Sequence, residues 1–196
     1  MTENDLTQSA IDANSLCIEC GLCCVGTLFS HIKVSPDEIE QVEDLGIRLH
    51  ERGDETVFGL GCSCFKEGSC SVYEARPQKC VSFFCKLNKS VENGIIGLKE
   101  SLKVVETVKK YTDLIINSII PKDAAALHNS NYRLILIEYH KKSTQINARH
   151  KLTHANKKNI QLIFEQLKLI DHYFDNTLLL KRYDELIQSF PDQTQP

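Results

Sequence analysis

The sequence predicts a mainly α protein with little β: a small cysteine-rich, metal-nucleated module followed by a helical C-terminal half. Three observations carry this reading. Four of the nine cysteines fall within Cys17-Ile18-Glu19-Cys20-Gly21-Leu22-Cys23-Cys24, the other five lie at positions 62, 64, 70, 80 and 85, and residues 86–196 contain none. From about residue 100 onward, apolar residues recur at helical spacing. Between these regions, Gly, Pro and Ser are frequent and apolar runs are short, so little regular sheet is expected.

The boundaries that follow are a flexible N-terminus at 1–14, a cysteine-cluster metal-binding domain at 15–92, and a helical region packed on it at 93–196. In the first cysteine block two C-x2-C steps run in series. Gly21 sits where such a turn needs a backbone with positive φ. The second half of 25–34 alternates apolar and polar residues, a short-strand pattern. Ser35-Pro36-Asp37-Glu38 reads as a helix start, with Ser35 and Glu38 forming a capping box and Pro36 in the first turn. Ile39, Val42 and Leu45 give that helix an apolar stripe over about 36–45, ending near Gly46. Residues 50–69 read as loop. Pro77 starts a short helix that places Cys80 in its first turn, where backbone N–H groups favour a thiolate. Phe84, one turn later, is a candidate shield for the site.

In the second half, Leu102, Val105, Val108, Tyr111, Ile115 and Ile119 mark one helix that stops before Pro121. Residues 122–129 suggest a short helix. Leu134-Ile135-Leu136-Ile137 fits either a buried strand or part of a helix. Ile160, Ile163, Phe164, Leu167, Ile170 and Phe174 form another helical stripe, and Leu179, Leu180, Tyr183, Leu186, Ile187 and Phe190 a further one.

Composition narrows the function classes. No apolar run approaches the roughly 18 residues of a membrane span, so no membrane partner is expected. Met1–Asn14 lacks the basic head and apolar middle of a signal peptide, so a cytoplasmic protein is expected. In a reducing compartment, clustered and odd-numbered thiols point to metal binding or redox chemistry rather than a disulfide framework. The net charge of −3 hides a split. Residues 1–94 carry 8 Lys and Arg against 15 Asp and Glu, net −7; residues 95–196 carry 15 against 11, net +4. A mild positive balance spread over helices argues against a nucleic-acid binder, which shows a dense basic stripe. The basic helices, with Lys157 and Lys158, offer instead a docking face for an acidic protein partner. No Gly-rich phosphate loop is present, and Cys17-x2-Cys20 lacks the strand–motif–helix setting of a redox dithiol.

Thiolates suit zinc and iron–sulfur centres alike. Eight or nine cysteines exceed the four that one zinc ion or one conventional cluster takes. The adjacent Cys23 and Cys24 point apart in an extended chain. Either each serves a different metal, or one is a ligand while the other packs as a small hydrophobe. His31, seven residues after Cys24, is an alternative ligand. His150 and His154 share a helical face, without an acidic third ligand beside them.

The pattern C-x2-C-G-x-C-C, then C-x5-C, then C-x2-Y-E-x-R-P-x2-C-x4-C resembles the YkgJ-type, or CxxCxxCC, cysteine-cluster family, described as zinc- or iron-chelating domains. The resemblance runs over residues 17–85 and rests on Cys17, Cys20, Gly21, Cys23, Cys24, Cys64, Cys70, Tyr73, Glu74, Arg76, Pro77, Cys80 and Cys85. It implies a metal site built from Cys17, Cys20, Cys23, Cys24, Cys64, Cys70, Cys80 and Cys85, holding zinc or iron, the latter as an ion or an iron–sulfur cluster. Cys62 stands outside the usual eight as a substitute ligand or a bystander. Around a centre of net negative charge, Arg76, Lys66, Lys79 and Lys86 are nearby cations; the Arg76 guanidinium can meet a sulfur or Glu74. Some related proteins are associated with lysine methylation of flagellin. Two readings therefore stand: a metal-binding protein, and an iron–sulfur enzyme of redox or group-transfer (methylation-like) chemistry. The first cysteine block reads as half of a shared site, folded back on the Cys70–Cys85 segment with the 36–45 helix as spacer.

Overall fold

The computed structural model describes residues 13–120, 131–149, 152–174 and 178–188. The cysteine block begins in a helix, α1, over residues 13–20. Ala13 and Leu16 bury on one face, and Cys17 and Cys20 follow one turn apart. Gly21 ends α1 with φ +64°, and a Cβ there would run into the Phe65 ring. Both the left-handed backbone and the close ring require glycine. Leu22, Cys23 and Cys24 then form a tight turn closed by Val25 N–H to Gly21 O at 3.1 Å and Thr27 N–H to Leu22 O at 2.9 Å.

A three-stranded antiparallel sheet follows, in the order β1-β3-β2, from β1 (His31–Lys33), β2 (Leu49–Arg52) and β3 (Glu55–Gly59). Between β1 and β2 lie a 3-10 turn, Pro36–Glu38, and α2 (Ile39–Asp44). The helix predicted over 36–45 is thus present, but the capping box is not formed: Ser35 makes no side-chain cap bond. Glu38 instead accepts the Gln78 N–H at 2.6 Å. The first turn is 3-10, and the carboxylate serves a more distant helix start.

Residues 50–69 are loop only in part. They hold two hairpins, each with a two-residue turn. Arg52 pairs with Glu55 around Gly53-Asp54, where Gly53 has φ +61°. β4 (Phe65–Lys66) pairs with β5 (Ser69–Cys70) around Glu67 (φ +51°) and Gly68 (φ +81°). These are the left-handed turn conformations that match strand twist. Strands of two to five residues flanked by glycines resemble loop in sequence.

A 3-10 turn, Tyr73–Ala75, leads to α3 (Gln78–Ser82), with Arg76 extended at ψ 144° before Pro77, as expected. Then come α4 (Lys86–Glu92), α5 (Leu98–Ile119), α6 (Tyr132–Arg149), α7 (His154–Phe174) and α8 (Leu178–Gln188). The 134–137 ambiguity resolves as helix: Tyr132 and Leu136 are buried while Leu134 is 49 % exposed, a helical rather than alternating pattern. The segment 122–129 lies outside the described residues, as do residues 1–12 and Phe190.

α5 packs on α7, α7 on α8, α6 on α8, and α4 against both α5 and α7. Their core is continuous with Ala13, Leu16, Leu22 and Leu28 of the cysteine half and with Leu87 and Val91 of α4. A separate small core, Val34, Val42, Ile47, Phe58, Leu60 and Cys64, lies under the sheet. The amide and hydroxyl at the centre of the helical core pair with each other: Tyr132 Oη donates to Gln166 Oε1 at 2.6 Å, and Gln166 Nε2 donates to Val108 O and Thr112 Oγ1. The halves are joined at the start of α6. Asn131 Oδ1 accepts the Leu134 N–H as a cap, while its Nδ2 donates to Leu60 O at 2.6 Å and reaches Ser30 O and Phe29 O. Gly26, at φ +79°, leaves the space this amide fills.

Candidate metal centre

All nine cysteines line one cavity of about 130 Å³, walled by Leu16, Leu28, Phe58, Phe65, Phe83 and Phe174 among other apolar side chains. None is in a disulfide. α1 supplies Cys17 and Cys20, the following turn Cys23 and Cys24, the loop after β3 Cys62 and Cys64, β5 Cys70, α3 Cys80, and the residue capping α4 Cys85. The chain returns to the block where the Cys62 N–H donates to Cys24 O at 2.9 Å, and Cys70, Cys80 and Cys85 line the same cavity.

The thiols sort by which charges they feel. Burial raises Cys17, and after burial the charge of Cys85 raises it further, with Arg76 and Asn88 acting against them. Burial pushes Cys20 to about 12; Cys85 and Cys17 add to it, while the Leu22 N–H and Lys109 oppose it. Cys23 lies well above its ordinary value through burial and then Cys20 and Cys85, with smaller contributions from Cys24 and Cys17. Burial and then Cys70, Cys62 and Cys80, with Cys20 after them, bring Cys24 to about 12. Burial and then Cys62 and Cys70 bring Cys80 to about 11, with Arg76 opposing. Cys85 acts on Cys17, Cys20 and Cys23, while Cys62, Cys70 and Cys80 act on Cys24. The two sides also touch: Cys24 feels Cys20, Cys23 feels Cys24, and Cys62 feels Cys64 before Cys70.

Cys64 stands apart. It is buried in the small core under the sheet, and its thiol donates to Leu45 O at 3.7 Å. Its carbonyl receives both the N–H and the hydroxyl of Ser71. Cys62, placed outside the usual eight by the resemblance, lines the same cavity and acts on Cys24 and Cys80. His31 does not line the cavity; it is held by Arg52 on the sheet. His150 lies outside the described residues, so its pairing with His154 has no structural counterpart here.

Among the described residues, no three His, Cys, Asp or Glu side chains as placed form a group that could hold a metal ion. Ligation requires the thiols that line the cavity to draw closer together. The donor chemistry fits: buried thiols whose charges oppose one another need a cation to exist together as thiolates.

Arg76 does not reach a sulfur or Glu74. Its Nε donates to Tyr73 O at 2.7 Å, and its guanidinium lies 3.5 Å over the Tyr73 ring. From there its charge favours the thiolates of Cys17 and Cys80. Lys66, Lys79 and Lys86 are exposed. Phe84 is also exposed, at 39 %, and is not part of the cavity wall. Phe83 takes that role, edge-on to Phe29 at 4.9 Å between centroids.

Three contributors escaped the sequence reading. Phe65 closes over Gly21. Lys109 reaches from α5 to Glu19 O at 2.9 Å. Asn88 contacts two cysteine sulfurs. Only Asn88 had a sequence signal, its position three residues after Cys85 at a helix start.

Residues 16–102 match the family model named CxxCxxCC, described as a "putative zinc- or iron-chelating domain". The match takes in all nine cysteines, both sheets and the first turn of α5, and leaves α6–α8 outside. No curated protein matches the chain, and no solved structure does. No helix among the described residues is long and apolar enough to cross a membrane.

Proposed function

We propose that the chain is a metal-binding protein with two thiolate centres, one at Cys17, Cys20, Cys23 and Cys85 and one at Cys24, Cys62, Cys70 and Cys80. Cys64 serves as a core residue and Cys62 as a ligand. What supports this is that all nine cysteines line one cavity, with Cys85 acting on Cys17, Cys20 and Cys23 at one side and Cys62, Cys70 and Cys80 acting on Cys24 at the other. Four thiolates satisfy one tetrahedral zinc ion or one iron–sulfur cluster. When bound, each centre supplies the positive charge that holds its quartet ionised.

The chain's own residues do the rest. Gly21 turns Cys23 and Cys24 away from α1. Arg76 places one cation within reach of both quartets. Phe83, Phe29 and Phe65 keep the cavity apolar, which strengthens attraction between thiolate and cation. Because one peptide bond links Cys23 to Cys24, the centres are neighbours, an arrangement suited to mutual stabilisation of one small domain.

Anaerobic purification followed by metal and acid-labile sulfide analysis tests the reading and separates its metals. Two zinc per chain, without sulfide, marks a zinc pair. Iron with sulfide and visible absorption marks clusters. A chain free of both metals, with nine titratable thiols in the native state, contradicts it.

A further inference from the structure

Asn88 is fully buried on α4, yet its polar atoms are unevenly used. Nδ2 donates to Ala13 O at 2.6 Å and to Cys17 Sγ at 3.1 Å. Its backbone N–H donates to Cys85 Sγ at 3.4 Å. Oδ1 is buried with no hydrogen-bond partner among the described residues. Turning the amide over would set Oδ1 against Ala13 O, so this orientation is fixed by the helix carbonyl. A buried amide with an orphan oxygen costs about 1–3 kcal/mol, and leucine has nearly the same shape without that cost. Helix packing alone therefore does not account for asparagine here.

The two sulfurs it touches belong to the same quartet. We propose that Asn88 is a positioning residue for the Cys17, Cys20, Cys23 and Cys85 centre, donating one hydrogen bond to each of two ligand thiolates from the two ends of one residue. This rests on the two-centre reading and makes the centres unequal. Hydrogen bonds to a ligating sulfur withdraw electron density and fix the sulfur's direction, so the first centre holds its ligands preoriented. The second quartet shows no such side-chain amide among the described residues. Its nearby cation is the shared Arg76, and Glu38 adds an opposing negative charge at Cys80.

Anaerobic cobalt(II) titration of the full chain, with a competing chelator, tests this, since cobalt–thiolate charge-transfer bands report each sulfur's electron density. Wild type is expected to bind two cobalt ions; fewer than two overturns the two-centre reading itself. In a Cys80→Ser background, which leaves the first centre, Asn88→Leu should weaken binding by roughly ten- to a hundredfold and move the charge-transfer band to longer wavelength. In a Cys85→Ser background, which leaves the second, the same change should alter neither. An unchanged band and affinity in the first background, or equal losses in both, overturns the role. Should Asn88→Leu fail to fold by circular dichroism, the isosteric Asn88→Asp takes its place. A carboxylate oxygen facing Cys17 must then weaken the first centre alone, and a uniform loss again contradicts the proposal.

Discussion

The two halves of this chain reach order by different routes. The helical half surrounds Val105, Val108, Ile115, Tyr132, Ile160, Ile163, Leu167 and Tyr183 with long helices, and pairs its buried amide and hydroxyls internally. Such a core stabilises itself by apolar burial, about 25 cal/mol per Å². The cysteine half has strands of two to five residues and a six-residue core under its sheet, and it arranges nine thiols around a cavity. On the proposed reading, a bound metal supplies the folding free energy that so small a core does not. The difference teaches where perturbation will be felt.

The largest expected effect separates the halves directly. Stripping metal with a strong chelator should lower amide-exchange protection across 55–85 by at least about a hundredfold, since structural thiolate sites contribute many kcal/mol. α7 and α8 should change far less, and uniform loss across both halves would erase the contrast. Within the cysteine half, the next effect pits two neighbours against each other. Cys62→Ser should remove one metal equivalent. Cys64→Ala should keep both metals and cost about 1–2 kcal/mol of core burial; metal analysis and a denaturant melt distinguish them. The reverse pattern would return Cys64 to the ligand set.

Gly21→Ala is expected to destabilise the loaded protein by about 2–4 kcal/mol, combining a left-handed backbone with a clash on Phe65. A shift under about 1 kcal/mol in thermal or urea denaturation would show that the turn can reorganise. The mildest effect is on pH. In the metal-free chain Cys20, Cys24 and Cys80 lie at about 12, 12 and 11, against an ordinary 9.0. The unfolded chain therefore loses protons first as pH rises, and metal-free stability should fall between about pH 9 and 12. Below pH 9 these thiols contribute no slope. Metal uptake should release protons and weaken as pH falls, because each ligand must deprotonate. Calorimetry in buffers of different ionisation enthalpy counts those protons.

Much of this was legible from residue order alone. The three long apolar stripes became α5, α7 and α8 because 3.6-residue spacing buries one helix face whatever its partner is. Pro77 and Gly21 acted as read because each constrains the backbone locally. The hairpins at 53–54 and 67–68 were missed because glycine-rich two-residue turns joining very short strands leave no alternating run to detect. Glu38 was assigned to its own helix and instead caps a helix forty residues away. The nearness of Cys62 to the first block was also out of reach. It depends on β3 carrying the chain back past Cys24, and no spacing between cysteines encodes that return.

The central claim is that one cysteine block feeds two centres, and metal stoichiometry in paired variants tests it most directly. Zinc or iron per chain, measured for wild type, Cys85→Ser, Cys70→Ser and the double variant, should run as two centres, one, one and none. Loss of all metal from either single variant, or retention of a full complement in the double variant, would contradict the two-centre account.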